Sequence, residues 1–146
     1  LPAISKYYNY DEGDPGKSAQ ANGITCIYRY AEVLLMYAEA STRATNTVST
    51  DALNAIQEVQ KRADYPDRGI ALTTDAATFL TAVSNERGWE FFAEMKRWFE
   101  LVRLEKVKDV RAEEWDASLF NANHHYYFPV PYQQIDLAGW TNNAGY

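Results

Sequence analysis

Three glutamates at four-residue intervals, Glu86, Glu90 and Glu94, constrain this chain more than any other feature. The run from Glu86 to Arg103 has no proline and a single glycine, the composition of a helix, and Phe91, Met95, Trp98 and Val102 recur on one helical stripe. That stripe is expected to be buried. On a helix the three carboxylates stack at i, i+4 and i+8, where like charges repel by about 0.2–0.5 kcal/mol per pair. Such a helix needs cations: Arg97 and Lys96 from within it, and Arg29 or Arg62 from elsewhere to neutralise Glu86 or Glu90.

The segments that supply those arginines are helical by the same test. From Tyr28 to about Thr42, Ala31, Leu34 or Leu35, and Ala38 share a face, and the small alanines allow a second helix to approach closely. That second helix has Thr50 or Asp51 as its cap and buries Leu53, Ile56, Val59 and Ala63. A linker rich in Thr, Asn and Ser, Ala44 to Ser49, joins them into an antiparallel hairpin over residues 28–63 that resembles one tetratricopeptide unit. A repeat array needs about three units to be stable, so further units are expected upstream. After a turn at Tyr65–Gly69, Thr73 or Thr74 caps a helix that runs through Phe79, Leu80 and Val83 into the acidic stretch, making one long helix over 74–103 with a bend or break near Glu94.

Beyond Val107 the character changes. Ala112 to Ala117 reads as a short helix. Residues 120–146 are aromatic and almost uncharged, with Asp136 their only acidic or basic residue apart from His124 and His125. Tyr126-Tyr127-Phe128-Pro129-Val130-Pro131 is extended, because proline pushes the residue before it out of the α region. A neutral strip of this kind, 117–146, is expected to lie across the helices as a buried strap. At the other end, residues 1–23 read as an extended lead-in and a turn-forming loop, whose acidic residues lack the spacing of an EF-hand.

Composition narrows the function classes. A net charge of −6 with no basic cluster argues against nucleic acid, which needs a positive patch. Cys26 is alone, so an internal disulfide and a thiolate metal cage are excluded, and it reads as a small buried thiol. No apolar run approaches the ~20 residues that cross a bilayer. The chain begins Leu1-Pro2, without an initiator methionine, and is expected to be a piece whose targeting signal lies upstream. Aromatic content of 14% fits either an aromatic core or a surface that stacks on sugar rings.

Three blocks carry a family resemblance. Glu86-Arg87, Trp89-Glu90-Phe91, Glu94, Arg97-Trp98-Phe99, Leu101 and Arg103 form the first, with Met95 where the family usually has glycine and Glu100 where it has aspartate. In the hairpin, Arg29, Ala31-Glu32, Leu35 and Tyr37-Ala38-Glu39-Ala40 are followed by Ala55-Ile56, Val59 and Arg62-Ala63, with Gln57 and Gln60 replacing an asparagine and an arginine. The third is Tyr127, Phe128-Pro129-Val130-Pro131, Gln134-Ile135, Asn143 and Gly145-Tyr146, with Ala144 for proline. Together they resemble the SusD/RagB family of Bacteroidetes outer-membrane nutrient-binding lipoproteins. The resemblance implies an all-α, SusD-like fold: a tetratricopeptide-like hairpin, a long helix and an irregular aromatic C-terminal tail. It also implies that residues 1–146 are a single unit, the C-terminal portion of a longer protein ending at its natural C-terminus.

The function implied by the resemblance is non-catalytic capture of oligosaccharides at the cell surface, as part of polysaccharide utilisation. The partners implied are the glycan and a TonB-dependent, SusC-like transporter in the outer membrane, with membrane attachment only through a lipid anchor upstream and no cofactor. A helical-repeat scaffold gripping a peptide or protein is the alternative, and a glycosidase comes third. For the last, the glutamate stack offers carboxylates at suitable spacing but no cleft and no reason for a raised pKa. Adjacent histidines seldom meet one ion, so His124 and His125 read as a polar bend with no metal. No phosphate loop, nucleophile elbow or catalytic triad accompanies them. The matched charged residues, Arg29, Glu32, Glu39, Arg62, Glu86, Arg87, Glu90, Arg97 and Arg103, read as a structural ion-pair network. Aromatics available as ligand platforms are Tyr7, Tyr8, Tyr10, Trp115 and Trp140, which no family block supports.

Overall fold

A computed structural model describes Lys6 and residues 26–64, 74–111 and 120–146. The lead-in (Lys6 apart), the turn at Tyr65–Gly69 and the short helix at Ala112–Ala117 lie outside these residues. The described residues form seven helices and no strand. The chain parts into two compact units, Leu1–Arg97 and Trp98–Tyr146.

In the first unit, α1 (Tyr30–Thr45) and α2 (Thr50–Arg62) make the hairpin, and α3 (Ala76–Glu90) packs with α2 around α1. Helix α1 stops at Asn46, whose φ of 54° is the left-handed position asparagine tolerates. The cap of α2 is Ser49, one residue before the expected pair; its hydroxyl accepts from the Ala52 N–H. Asp75, not a threonine, caps α3 by accepting from the Thr78 N–H. Leu35, Ala38, Leu53, Ile56, Val59, Phe79, Val83 and Phe91 form one core, whereas Ala63 lies past the end of α2 and is exposed. Cys26, ahead of the first helix, is exposed too.

The long helix over 74–103 is two helices. Helix α3 ends at Glu90, residues 91–95 turn, and α4 (Arg97–Arg103) follows. Ala93 and Met95 have φ of 65° and 58°, in the left-handed region that costs an L-residue ~1–2 kcal/mol. Met95 stands where the resemblance has glycine, and the turn explains that preference. The break also cuts the stripe: Phe91 is buried, but Met95 is 90% exposed. Gly88 lets the Arg97 side chain approach α3 closely, since a Cβ there would lie 3.0 Å from the Arg97 guanidinium carbon.

In the second unit, α4 is followed by α5 (Val107–Arg111), α6 (Ala122–His125) and α7 (Tyr132–Ala138). Leu101 and Val107 are buried there. The closing segment is not simply extended, for α6 and α7 flank the Pro-Val-Pro stretch. Nor is it a buried strap: Val130 is half-buried, but Phe128 is 68% exposed, with Trp98 as its ring neighbour at 6.3 Å. The segment is tied to itself by side chains. Asn142 Oδ1 accepts from the Val130 N–H (2.8 Å), Asn143 Nδ2 donates to Phe128 O (2.6 Å), and the Tyr146 hydroxyl donates to Tyr127 O (3.0 Å).

Candidate functional site

The C-terminal end of α3 is where the charged residues converge. A helix end leaves carbonyls without intrahelical donors and carries a partial negative charge, so cationic donors are favoured there. Two arrive from distant parts of the chain: Arg29 Nη2 and Lys6 Nζ donate to Glu90 O at 2.7 and 2.8 Å. Lys6 also donates to Phe92 O. These bonds occupy the carbonyls just where α3 gives way to the turn.

Arg29, the N-cap of α1, holds both lower glutamates of the stack. Its Nε and Nη2 donate to the two oxygens of Glu94 at 3.1 and 2.8 Å, a bidentate fork, and Nη1 donates to Glu90. Arg62, in the last turn of α2, reaches Glu90 from the other side, and Lys6 pairs with Glu94. Phe91 lies beneath this cluster, fully packed. The Arg29 and Arg87 guanidinium carbons stand 4.6 and 5.4 Å from its ring centroid and Lys96 Nζ 5.8 Å, distances at which a cation is attracted to a ring face. One aromatic ring thus lies within reach of three of the cations that pair with glutamates.

Glu86 is satisfied differently. It accepts from Gln60 Nε2 at 2.9 Å, both residues being buried. Gln60 replaces the family's arginine, and its neutral amide gives the buried carboxylate a hydrogen bond. Glu32 of α1 pairs with Lys96 and, at 3.6 Å, with Arg87. Glu39 pairs with Arg43 one turn along α1, and Arg97 donates to Ser84 O at 2.7 Å. Arg103 ends α4, in the second unit. Lys6, Gln60 and Arg43 are the participants that sequence reasoning missed. Only Arg43 left a legible signal, its i,i+4 spacing from Glu39.

The electrostatics follow from this geometry. Burial on its own pushes the Glu94 carboxyl up, but hydrogen bonds from Arg29 and Lys6, with their charges, outweigh it and hold the carboxyl below its ordinary range. Burial likewise works against the Arg29 cation, and Glu94 and Glu90 overcome it, so its pKa is raised. A general acid in glycoside hydrolysis needs the opposite shift, a carboxyl kept protonated near neutrality. The chemistry available to Glu94 is that of a strut.

Of the ligand-platform candidates, Tyr7, Tyr8, Tyr10 and Trp115 lie outside the described residues. Trp140 is exposed in the second unit, just past α7, where Gly139 takes the left-handed cap position. The two histidines fall in α6, with rings stacked 4.6 Å apart, and the described residues contain no metal-binding group of three or more His, Cys, Asp or Glu. A hollow of ≈ 460 Å³ opens elsewhere in the first unit, lined by Asn46, Thr47, Val48, Thr74, Asp75, Ala76 and Ala77. Its Asp75 carboxylate is already engaged by the Thr78 N–H and hydroxyl, which lower its pKa.

The SusD family model matches residues 2–146. SusD-like protein P25 of Formosa agariphila is 27% identical over 147 residues, covering 94% of this chain and 26% of that protein. SusD-like protein P2 of the same organism is 29% identical over 156 residues, covering 99% and 30%. Among solved structures, a SusD homolog from Bacteroides thetaiotaomicron superimposes with a TM-score of 0.68 at 27% identity, over 82% of this chain and 26% of its own. A SusD superfamily protein from Parabacteroides distasonis gives 0.70 at 28%, over 82% and 27%. The chain therefore spans between 26% and 30% of the length of these relatives.

Proposed function

The chain belongs to the SusD family, and from that premise we propose that the full-length protein captures oligosaccharides at the bacterial outer surface and delivers them to a TonB-dependent, SusC-like transporter. The observation that carries this reading is the family match over almost the whole chain, supported by two superimposed SusD structures. The mechanism is binding without bond-making: aromatic faces stack on sugar rings, and side-chain amides and carboxylates satisfy hydroxyls. No described helix is long and apolar enough to cross a membrane. In this reading a lipid anchor outside residues 1–146 holds the protein at the outer membrane.

Within the chain, the charged residues around Phe91 serve the scaffold, and the ligand is gripped mainly by parts of the protein outside it. Trp140, with Tyr7, Tyr8, Tyr10 and Trp115, is the contribution this chain would make to a stacking surface. One ring is worth only ~0.5–1.5 kcal/mol beyond its buried area, too little to hold a glycan tightly. A glycan array probed with the full-length protein is expected to return a restricted set of oligosaccharides, and isothermal titration with those sugars should give far weaker binding for residues 1–146 alone. Peptide binding with an empty glycan array would overturn the oligosaccharide reading. Equal affinity of both proteins would place the site within this chain.

A further inference from the structure

The closing segment ends in a column of rings. Phe120 stacks on His125 with centroids 5.4 Å apart, His125 stacks on His124 at 4.6 Å with planes 13° apart, and Tyr146 stands nearly perpendicular to His124 at 4.1 Å. The fit at the outer imidazole is close: a Cβ on Gly145 would lie 2.8 Å from His124 Cγ. Single hydrogen bonds tie the backbone around the column. His125 Nδ1 accepts from the Asn121 N–H at 2.8 Å, so that nitrogen carries no proton, and Asn121 is the N-cap of α6. The Tyr146 N–H donates to Asn143 O and its hydroxyl to Tyr127 O. The titratable groups facing the two imidazoles are each other and the Tyr146 phenol, with Tyr126 one ring further on, against Phe120. Among the described residues, no acidic or basic side chain of α4, α5 or α7 pairs with either imidazole.

We propose that this column is a proton-operated latch: with neutral imidazoles it holds the end of the closing segment on α6, and with both imidazoles charged it lets go. Imidazole is the side chain whose charge ordinarily changes between about pH 5 and 8. Two nearly parallel rings 4.6 Å apart place like charges face to face once both are protonated, and no carboxylate of the described residues stands by to offset them. A proton on His125 Nδ1 adds a second loss, because it turns the acceptor for the Asn121 N–H into a donor. Asn121 O, 3.1 Å away, can accept from that new donor, but the Asn121 N–H is then left without its partner. Phe120 acts in the other direction on the first proton, since a ring face attracts a cation. The column therefore tolerates one charge and is opened by the second. The latched form binds fewer protons than the released one, so closure weakens as pH falls. The latch lies wholly within residues 120–146 and is independent of which ligand the protein takes.

Hydrogen exchange of the full-length protein, read by mass spectrometry and corrected for the intrinsic pH dependence of exchange, tests the latch. The peptide covering residues 139–146 should lose protection by roughly fivefold or more between about pH 7.5 and about pH 5.5, within the span in which imidazoles take up protons. The peptide covering core residues 53–59 should keep its protection, which separates release of the latch from general unfolding. At the lower pH, ~1 M NaCl shortens the screening length to ~3 Å, less than the 4.6 Å between the rings, and should restore most of the loss. His124→Phe keeps a ring against Tyr146 but removes one of the two charges, and its protection should be the same at both pH values. Unchanged protection in the unsubstituted protein would overturn the proposal. So would a loss that salt does not reverse, or one that His124→Phe shows in parallel. The salt comparison needs no substitution, so it decides the matter should His124→Phe fail to fold.

Discussion

The helices of the first unit and the closing segment 120–146 are both rich in large apolar side chains, but they use them in opposite ways. In the first unit Leu35, Ile56, Phe79, Val83 and Phe91 meet in one core, and the charged groups over it are paired. In residues 120–146 no side chain is buried. Order there comes from Asn142, Asn143 and Tyr146 clasping backbone groups, and from ring contacts such as His124 with Tyr146 at 4.1 Å. The difference lies in periodicity. A 3.6-residue repeat lines apolar groups along one face where another helix can meet them, whereas Pro129 and Pro131 interrupt that repeat between the short helices α6 and α7 and leave local polar bonds to hold the chain.

The contrast is sharpest in the cost of truncation. Phe79→Ala should lower unfolding free energy by ~3–5 kcal/mol, through lost burial and a cavity, while Leu137→Ala, at an exposed site of the closing segment, should change it by less than ~0.5 kcal/mol. Urea unfolding of the two variants measures both. Similar losses would mean that the closing segment has a core of its own.

A smaller but still large effect is expected at the ionic cluster. Glu90→Ala leaves Arg29 and Arg62 facing each other without their shared carboxylate. Breaking a buried pair costs about 3–5 kcal/mol, and the exposure of Arg62 and the remaining Glu94–Arg29 fork should bring this to ~2 kcal/mol. Denaturant midpoints unchanged by Glu90→Ala would show the cluster to be energetically idle.

The turn between α3 and α4 offers a gain. Met95→Gly should raise stability by ~1 kcal/mol, because the residue already sits at φ 58° and its exposed side chain gives up little on removal. A thermal midpoint lowered by this change would mean that the methionine side chain contributes packing that outweighs the strain.

The smallest effect is the acid dependence of Glu94. Its folded pKa lies below the ordinary 4.5, so the stabilisation it gives is complete above that value and is lost as pH falls through the folded pKa. Lys6→Ala should move the loss to higher pH, since one of the groups depressing the carboxyl is gone. If Glu94→Gln and the unsubstituted protein lose stability in parallel below pH 4.5, Glu94 is not the group responsible.

The sequence by itself determined the helical hairpin, the family and the need for cations around the glutamate stack. Each of these depends on spacing within a short window, and apolar period and like-charge repulsion are both local. Tertiary structure alone decided which partner goes where. Arg29 lies 61 residues from Glu90 and Lys6 lies 84, and only packed helices bring such groups within bonding distance. It also assigned Gln60, a substitution that reads as a lost ion pair, to the buried carboxylate of Glu86. For the end of α3 the sequence reading has a bend or break near Glu94, and the structure sets it at Glu90 and supplies the cause, a turn of left-handed residues beside carbonyls held by Arg29 and Lys6. Periodicity carries no record of a side chain that arrives from another helix, so that part of the site had no signature for the sequence to show.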